Sequence, residues 1–146
     1  MQGMANMMIS NLGRYKKLQD DRFDEITTKY DLRKIDIEIM MYLDSCGDND
    51  TARDIAAAQR FTKGHISQSN KRLFEKGYIT AVKDQKDQRV SHLSLTNKAK
   101  KILNELYDVR RKIFDVAFEG VTDEELKVVK KVCLVVNSNM ESGINV

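Results

Sequence analysis

The segment from Thr51 to Thr96 constrains the fold more than any other part of the chain. It holds a short stretch of helical composition (Thr51-Ala-Arg-Asp-Ile-Ala-Ala-Ala), a turn, and a longer stretch opened by Thr62 (Thr-Lys-Gly-His-Ile-Ser-Gln-Ser-Asn-Lys-Arg-Leu-Phe-Glu-Lys-Gly). Thr51-x-x-Asp54 has the spacing of a capping box, with the shorter Asp in place of Glu or Gln. Thr62 is placed to cap the second helix, and Gly77 to end it. Residues Tyr78–Val82 and Val90–Leu95 read as two strands, the second alternating in and out. Between them lies the tip Lys83-Asp-Gln-Lys-Asp-Gln-Arg89. Two helices followed by a hairpin is the order of a winged helix-turn-helix, which sets its second helix in the major groove of DNA.

Charge is distributed to match. The chain carries a net charge of only +3, yet residues 51–101 hold 12 Lys and Arg against 4 Asp and Glu, and the remainder 13 against 18. A basic middle between acidic flanks suits a polyanion, because phosphate neutralisation and counterion release drive such binding. On a helical wheel of residues 62–77, Ile66 and Leu73 face the core, with Asn70 and Phe74 turned inward beside them. Gly64, Gln68 and Lys71 point directly away, flanked by Ser67 and Arg72. Gln can pair with adenine, Lys with guanine, and Ser with either base type or a phosphate. Gly64 lets the first helical turn approach closely, and the amides of this N-terminus, around Thr62, Lys63, Gly64 and His65, favour a phosphate. Thr51 and Arg53 stand where the first helix would meet the backbone, Lys83 and Lys86 would add phosphate contacts, and Arg60 is a weaker candidate.

The closing phrase Asp87-Gln-Arg-Val-Ser-His-Leu-Ser-Leu-Thr96 resembles the wing of the MarR family of bacterial transcriptional regulators, with its Asp-x-Arg tip ending in Leu-Thr. The resemblance extends from about Leu32 to Leu134 in order and spacing. It implies that Arg89 reaches into a minor groove, where a narrow A·T-rich duplex concentrates negative potential, and that Asp87 helps to hold it. Gln88 departs from the pattern, since many relatives carry a further Arg there. The resemblance also implies a homodimer on double-stranded DNA, most often a repressor, released by a small-molecule effector. Tyr15, Phe23, Met40 and Tyr42 are the candidate ligand-lining residues. Peroxide-sensing members carry a reactive Cys early in the first helix; here that helix has Tyr15 and no Cys, and Cys46 and Cys133 read as packing residues.

The flanks complete the expectation. Met4, Met8, Leu12, Tyr15, Gln19, Phe23, Ile26 and Tyr30 recur every three or four positions, one face of a long first helix. Leu32–Leu43 is ambiguous: Ile35-Asp-Ile-Glu-Ile39 alternates with period two, while Leu32, Ile35, Ile39 and Leu43 share a helical face. The run is long for a lone strand and the resemblance implies a helix, ended at Gly47. Thr96 or Asn97 opens a helix carrying Ile102, Leu106, Val109, Ile113 and Val116 or Ala117, stopped by Gly120. Thr122-x-x-Glu125 opens the last, with Leu126, Val129, Cys133, Val136 and Met140 spaced as a short heptad seam. The expected fold is therefore mainly α with a small two-stranded β-wing, in one domain. A DNA-binding lobe (32–96) would be flanked by dimerisation helices (1–30 and 97–140).

The rival from another class is a winged-helix module that docks on a protein and touches DNA weakly. An enzyme is not expected: there is no Gly-rich phosphate loop, GxSxG or HExxH, and no cofactor is implied. His65 and His92, without Cys or Asp clusters, cannot supply a zinc ligand set, and His92 reads as a strand surface residue. No apolar run approaches the ~20 residues of a membrane span, and the N-terminus lacks signal-peptide features, so the expected location is cytoplasmic and away from the membrane.

Overall fold

The ambiguous stretch after Leu32 is a helix, and it is the one around which the others pack. The computed structural model describes residues 1–58 and 61–143; Arg60 lies outside them. The chain gathers into two compact units, Met1–Ile113 and a second beginning at Phe114. In order the elements are α1 (Gln2–Tyr30), α2 (Lys34–Leu43), α3 (Ala52–Ala58), α4 (Lys63–Glu75), β1 (Ile79–Lys83), β2 (Ser91–Leu95), α5 (Asn97–Ala117) and α6 (Asp123–Glu141).

In the first unit, helix wins over strand at residues 34–43 because α2 buries more than one face. Ile37, Ile39 and Met40 are fully enclosed, whereas Ile35 and Leu43, placed on the packing face by spacing alone, are only half-buried. A strand's two-residue period could not enclose three such neighbours among helices. Around α2 the core is built from Ile55, Ile66, Leu73, Ile79, Ile102, Leu103 and Leu106. Asp31 ends α1 in the left-handed region (φ 50°). The second helix stops at Leu43 with Asp44 as its C-cap, so Gly47 (φ 58°) shapes the following loop and not the helix end.

Asp36 is the unexpected resident of this core. Its carboxylate is fully buried and accepts from Ser69 Oγ (2.5 Å), Arg72 Nε (2.8 Å), Arg72 Nη2 (2.7 Å) and the Arg33 N–H (2.8 Å). Burial pushes the Asp36 carboxyl up, but Arg72, Ser69 and the Arg33 amide together outweigh it and hold the group below its ordinary range. Four donors on one buried anion are what make its burial tolerable.

The hairpin forms one residue later than the spacing suggests at its start. β1 and β2 pair antiparallel with Ile79 opposite Leu95, Ala81 opposite Leu93 and Lys83 opposite Ser91. Tyr78 is instead the residue that closes α4. With Gly77 left-handed (φ 74°), the Gly77 N–H reaches Phe74 O (3.0 Å) and the Tyr78 N–H reaches Leu73 O (2.8 Å). This is a Schellman closure whose two apolar partners, Leu73 and Tyr78, are both buried.

The second unit holds the end of α5, Gly120 (φ 82°) and α6. Phe114 and Phe118 stack with centroids 4.4 Å apart. Thr122 and Glu125 form the expected capping box, Thr122 N–H to Glu125 Oε2 (2.9 Å) and Glu125 N–H to Thr122 Oγ1 (3.3 Å). No residue of α6 is buried, and Val128, Val132 and Leu134 are each at least half exposed. Cys133, read as a packing residue, is exposed with them.

Breaking the Asp36 cluster should be costly. Arg72→Met leaves a buried carboxylate short of its cation and should lower the unfolding free energy by about 3 kcal/mol, read from urea denaturation at pH 7. Because the folded state lowers the Asp36 pKa, the cluster's contribution is complete above the ordinary Asp range and is lost as pH falls through the lowered value. The gap between Arg72→Met and wild type should therefore narrow in acid.

Candidate nucleic-acid interface

The exposed face of α4 is set from both ends. Thr62 is its N-cap, Oγ1 accepting from the His65 N–H (3.3 Å). Along the helix, Ser69 and Arg72 turn inward to Asp36, and Ile66 and Leu73 are buried. Residues 63, 64, 65, 67, 68 and 71 are exposed, which places Lys63, Gly64, His65, Ser67, Gln68 and Lys71 on one open surface with Thr62. A Cβ built on Gly64 would meet nothing nearer than Thr62 Oγ1 at 4.0 Å, so nothing in the protein itself demands glycine there.

Three readings of this helix change. Arg72 was placed beside the outward face, but its guanidinium is bound to Asp36 with the side chain 21% exposed. Its fork geometry is spent on the carboxylate, leaving little for a nucleic acid. Phe74, read as inward, is 57% exposed, because it stands about 80° round the helix from Ile66 and so on the flank of the buried face. Asn70 is only half-buried, and its Oδ1 is enclosed without a hydrogen-bond partner.

The third helix starts with the capping box that the spacing predicts: Thr51 N–H to Asp54 Oδ2 (3.0 Å) and Asp54 N–H to Thr51 Oγ1 (3.2 Å). The Thr51 hydroxyl also donates to Asp54 Oδ2 (2.6 Å), so it is committed to the cap and is not a spare phosphate donor. Arg53 is exposed.

The wing tip is folded by carboxylates. Asp84 Oδ1 accepts the N–H groups of Lys86 (2.7 Å) and Asp87 (2.8 Å). Asp87 Oδ1 accepts the Arg89 N–H (3.0 Å), so Asp87 holds the backbone of Arg89. Gln88, where relatives carry Arg, donates from Nε2 to Asp84 O (3.1 Å) and braces the turn. Lys83, Lys86 and Arg89 are left exposed. Between α3, α4 and the hairpin runs a cleft of about 830 Å³, which Arg53, Lys71 and Arg89 line together above an apolar floor containing Ile79 and Leu93.

His92 is not a plain strand surface residue. It is half-buried, its Nδ1 lies 2.5 Å from Asp50 Oδ1 and its Nε2 3.0 Å from Asp84 Oδ2. The bond to Asp84, then that to Asp50, raises its pKa. His92 and the backbone amides of Asp87 and Lys86 in turn draw Asp84 down to about 2. Sequence spacing missed both this group and Asp36. The one available signal for Asp36 was an acid set between isoleucines; for His92 there was none, because its partners are 42 and 8 residues away.

A second cavity, of about 570 Å³, lies among α1, α2 and α5 and includes Phe23, Glu38, Met41, Tyr42, Tyr107 and Arg110. Of the candidate ligand residues, Phe23 and Tyr42 line it. Met40 does not, being sealed in the core with its neighbour Met41 lining instead, and Tyr15 lies outside. Burial pushes the Glu38 carboxyl up and, with the bond to Asp44, Tyr107 up to about 12. Burial also raises the Cys46 thiol, which suits a packing residue better than a thiolate sensor. Among the described residues no group of three or more His, Cys, Asp or Glu could hold a metal ion, and no helix is long and apolar enough to cross a membrane.

Removing the Thr62 cap should loosen the start of the exposed face. Thr62→Ala is expected to cost about 1 kcal/mol of stability and to speed amide exchange at residues 63–65 more than at Leu73, measured by hydrogen exchange.

Comparison with known proteins agrees with this geometry. The HTH-type transcriptional regulator BilQ of Clostridium symbiosum is 29% identical over 75 residues, and the chain spans about half the length of that curated relative. The crystal structure of MarR superposes with a TM-score of 0.71 at 18% identity, covering 93% of this chain and 98% of the other. The DNA complex of MepR from S. aureus superposes with a TM-score of 0.60 at 18% identity, covering 96% and 99%. The solved structures give the chain the MarR-type winged-helix fold, and the family described as Transcriptional regulator SarA/Rot matches residues 15–106, so the chain belongs to that family.

Proposed function

We propose that this chain acts as a homodimer on a pseudo-palindromic operator and represses the promoter it covers. The observation that carries the reading is the cleft beside α4, where Arg53, Lys71 and Arg89 converge next to the open face of Gly64, Ser67 and Gln68. In this reading Gln68, Lys71 and Ser67 reach base edges in the major groove. Arg53, Lys63 and the amides of Lys63 and Gly64 take phosphates. Arg89 enters the flanking minor groove, with Lys83, Lys86 and the Asp87-braced turn positioning it. MepR, seen on DNA, supports the mode by analogy of fold. Two-fold symmetry puts the half-sites roughly 10 bp apart.

The exposed apolar faces supply the dimer in this proposal. Met4, Met8 and Leu12 on α1, and Val129, Val132 and Val136 on α6, stand 40–68% exposed, so each helix carries apolar side chains that a partner could cover. The cavity at Phe23 and Tyr42 is the proposed effector site. Its aromatic walls, with Arg110, Glu38 and the Lys34–Asp20 pair among the lining, suit a small polar aromatic molecule. Release from DNA requires that such a ligand prefer a dimer with misplaced α4 helices.

The test is fluorescence anisotropy on the intergenic DNA upstream of the protein's own gene, at about 150 mM salt with excess nonspecific competitor. Competitor-resistant binding weakened about tenfold by Arg89→Ala is expected. Binding that competitor erases, with no effect of Arg89, would sink the operator reading in favour of a protein-docking module. For the dimer, Val129→Glu combined with Val136→Glu should shift the protein to monomer in sedimentation velocity and weaken operator binding with it. A double variant that still sediments as a dimer would remove α6 from the interface.

A further inference from the structure

His92 lies at the junction of three parts of the DNA-binding lobe. It sits on β2 opposite Val82 of β1, and its backbone forms an isolated antiparallel bridge with Thr51 at the start of α3. The Leu93 N–H reaches back to Asp50 O (3.1 Å). Its imidazole spans the same junction: Nδ1 faces Asp50 on the loop before α3, and Nε2 faces Asp84 at the base of the wing turn. Asp84 uses its other oxygen to gather the Lys86 and Asp87 amides. A chain of hydrogen bonds thus runs from the loop before α3, through one ring, to the turn that presents Arg89.

The chemistry of that ring decides how the chain behaves. A neutral imidazole has one N–H and one lone pair. With a carboxylate oxygen at each nitrogen, the neutral ring can satisfy only one of them and sets a lone pair against the other. The imidazolium satisfies both. Asp54 of α3 adds a third acid within electrostatic range, Arg53 beside it supplies the opposing cation, and Cys46 at the far side of Asp50 is held toward its neutral thiol. The charged ring is therefore the form that the junction is built for.

We propose that His92 is a positioning residue for the wing: its imidazolium ties the wing turn to the loop before α3, fixes where Arg89 stands, and makes DNA affinity fall as the ring loses its proton. The affinity part rests on the DNA-binding reading above; the tie itself does not. The sign follows from linkage. Folding raises the His92 pKa, so the tie is complete below the ordinary histidine range and is lost as pH rises through the raised value.

The experiment has two arms on the full-length protein. In the first, NMR follows the ring carbons of His65 and His92 and the backbone amides of Lys86, Asp87 and Arg89 from pH 5 to 9. His92 should titrate above the ordinary histidine range, and the three wing amides should move with the His92 midpoint. A His92 midpoint within the ordinary histidine range, with unmoved wing amides, would overturn the proposal. In the second, anisotropy on the same upstream duplex is read across the same pH range at fixed salt. Wild-type affinity should fall by about fivefold more than that of His92→Gln through the His92 midpoint. Asp84→Asn is the decisive variant. Its amide oxygen can still gather the wing amides, while its NH2 can donate to a neutral ring, so its affinity profile should be flat. Wing amides that follow His92 while DNA affinity ignores it would overturn the positioning role. Failure to bind the duplex at any pH would count against the DNA-binding reading and leave the first arm to decide the tie.

Discussion

One buried carboxylate sets the orientation of the helix that faces outward. Asp36 on α2 is matched by Ser69 and Arg72 on α4, three residues apart and hence on one side of that helix. A helix docked through apolar contacts alone can roll by tens of degrees at modest cost, because hydrophobic burial is non-directional. A helix docked through a two-pronged Arg–carboxylate bond and a hydroxyl cannot, because those bonds fail when the helix turns. Fixing Ser69 and Arg72 inward, with Ile66 and Leu73 buried beside them, leaves Gly64, Gln68 and Lys71 on the exposed side. The cluster is thus better understood as a device of orientation than of net stability, since a buried ion pair gains little over well-packed apolar groups.

The same economy explains the basic surface. Of the four acids between residues 51 and 101, Asp54 is in the α3 cap, Asp84 and the exposed Asp87 hold the wing turn, and Glu75 stands at the surface, 3.9 Å from Lys71. Carboxylates of Asp84 and Asp87 are directed at backbone amides of the turn, while Arg53, Lys83, Lys86 and Arg89 are exposed. The charged ends of those four side chains therefore stand at the surface without a carboxylate bonded to them. That is where a field acting over about 8–10 Å at physiological salt has effect.

What could be read in advance divides along the same line. Local signals held: the Thr51–Asp54 and Thr122–Glu125 boxes, the Thr62 cap and the Gly77 closure each depend on residues within four or five positions. Periodicity located the helices and the hairpin to within a residue or two. It failed where a side chain's partner is remote. Arg72 looked outward on the wheel because its angle from Ile66 is favourable, and only the acid 36 residues earlier turns it in. Met40 and Phe74 were misplaced for a related reason. A wheel assumes one buried face of set width, but α2 is enclosed on several, and Phe74 falls on the flank of the buried face of α4. His92, in a strand with clean alternation, gave no hint that two loops would close on it.

These constraints bear on how a molecule in the second cavity could reach the DNA. Lys34, Ile37 and Glu38 line that cavity from α2, within two residues of Asp36 on the same helix. A ligand that shifted α2 would carry the Asp36 carboxylate with it. Because Ser69 and Arg72 are bonded to that carboxylate, α4 would follow as a body before its own contacts loosened. The wing is joined to the start of α3 by the Thr51–His92 bridge and to α4 through the Gly77–Tyr78 closure, so it would move with the helix rather than independently. The physical expectation is a displacement of the whole reading surface, small at the cavity and larger at Arg89, with the internal geometry of that surface preserved. In the proposed dimer, such a displacement would release the operator by misplacing the two lobes relative to the half-sites, without unfolding either of them.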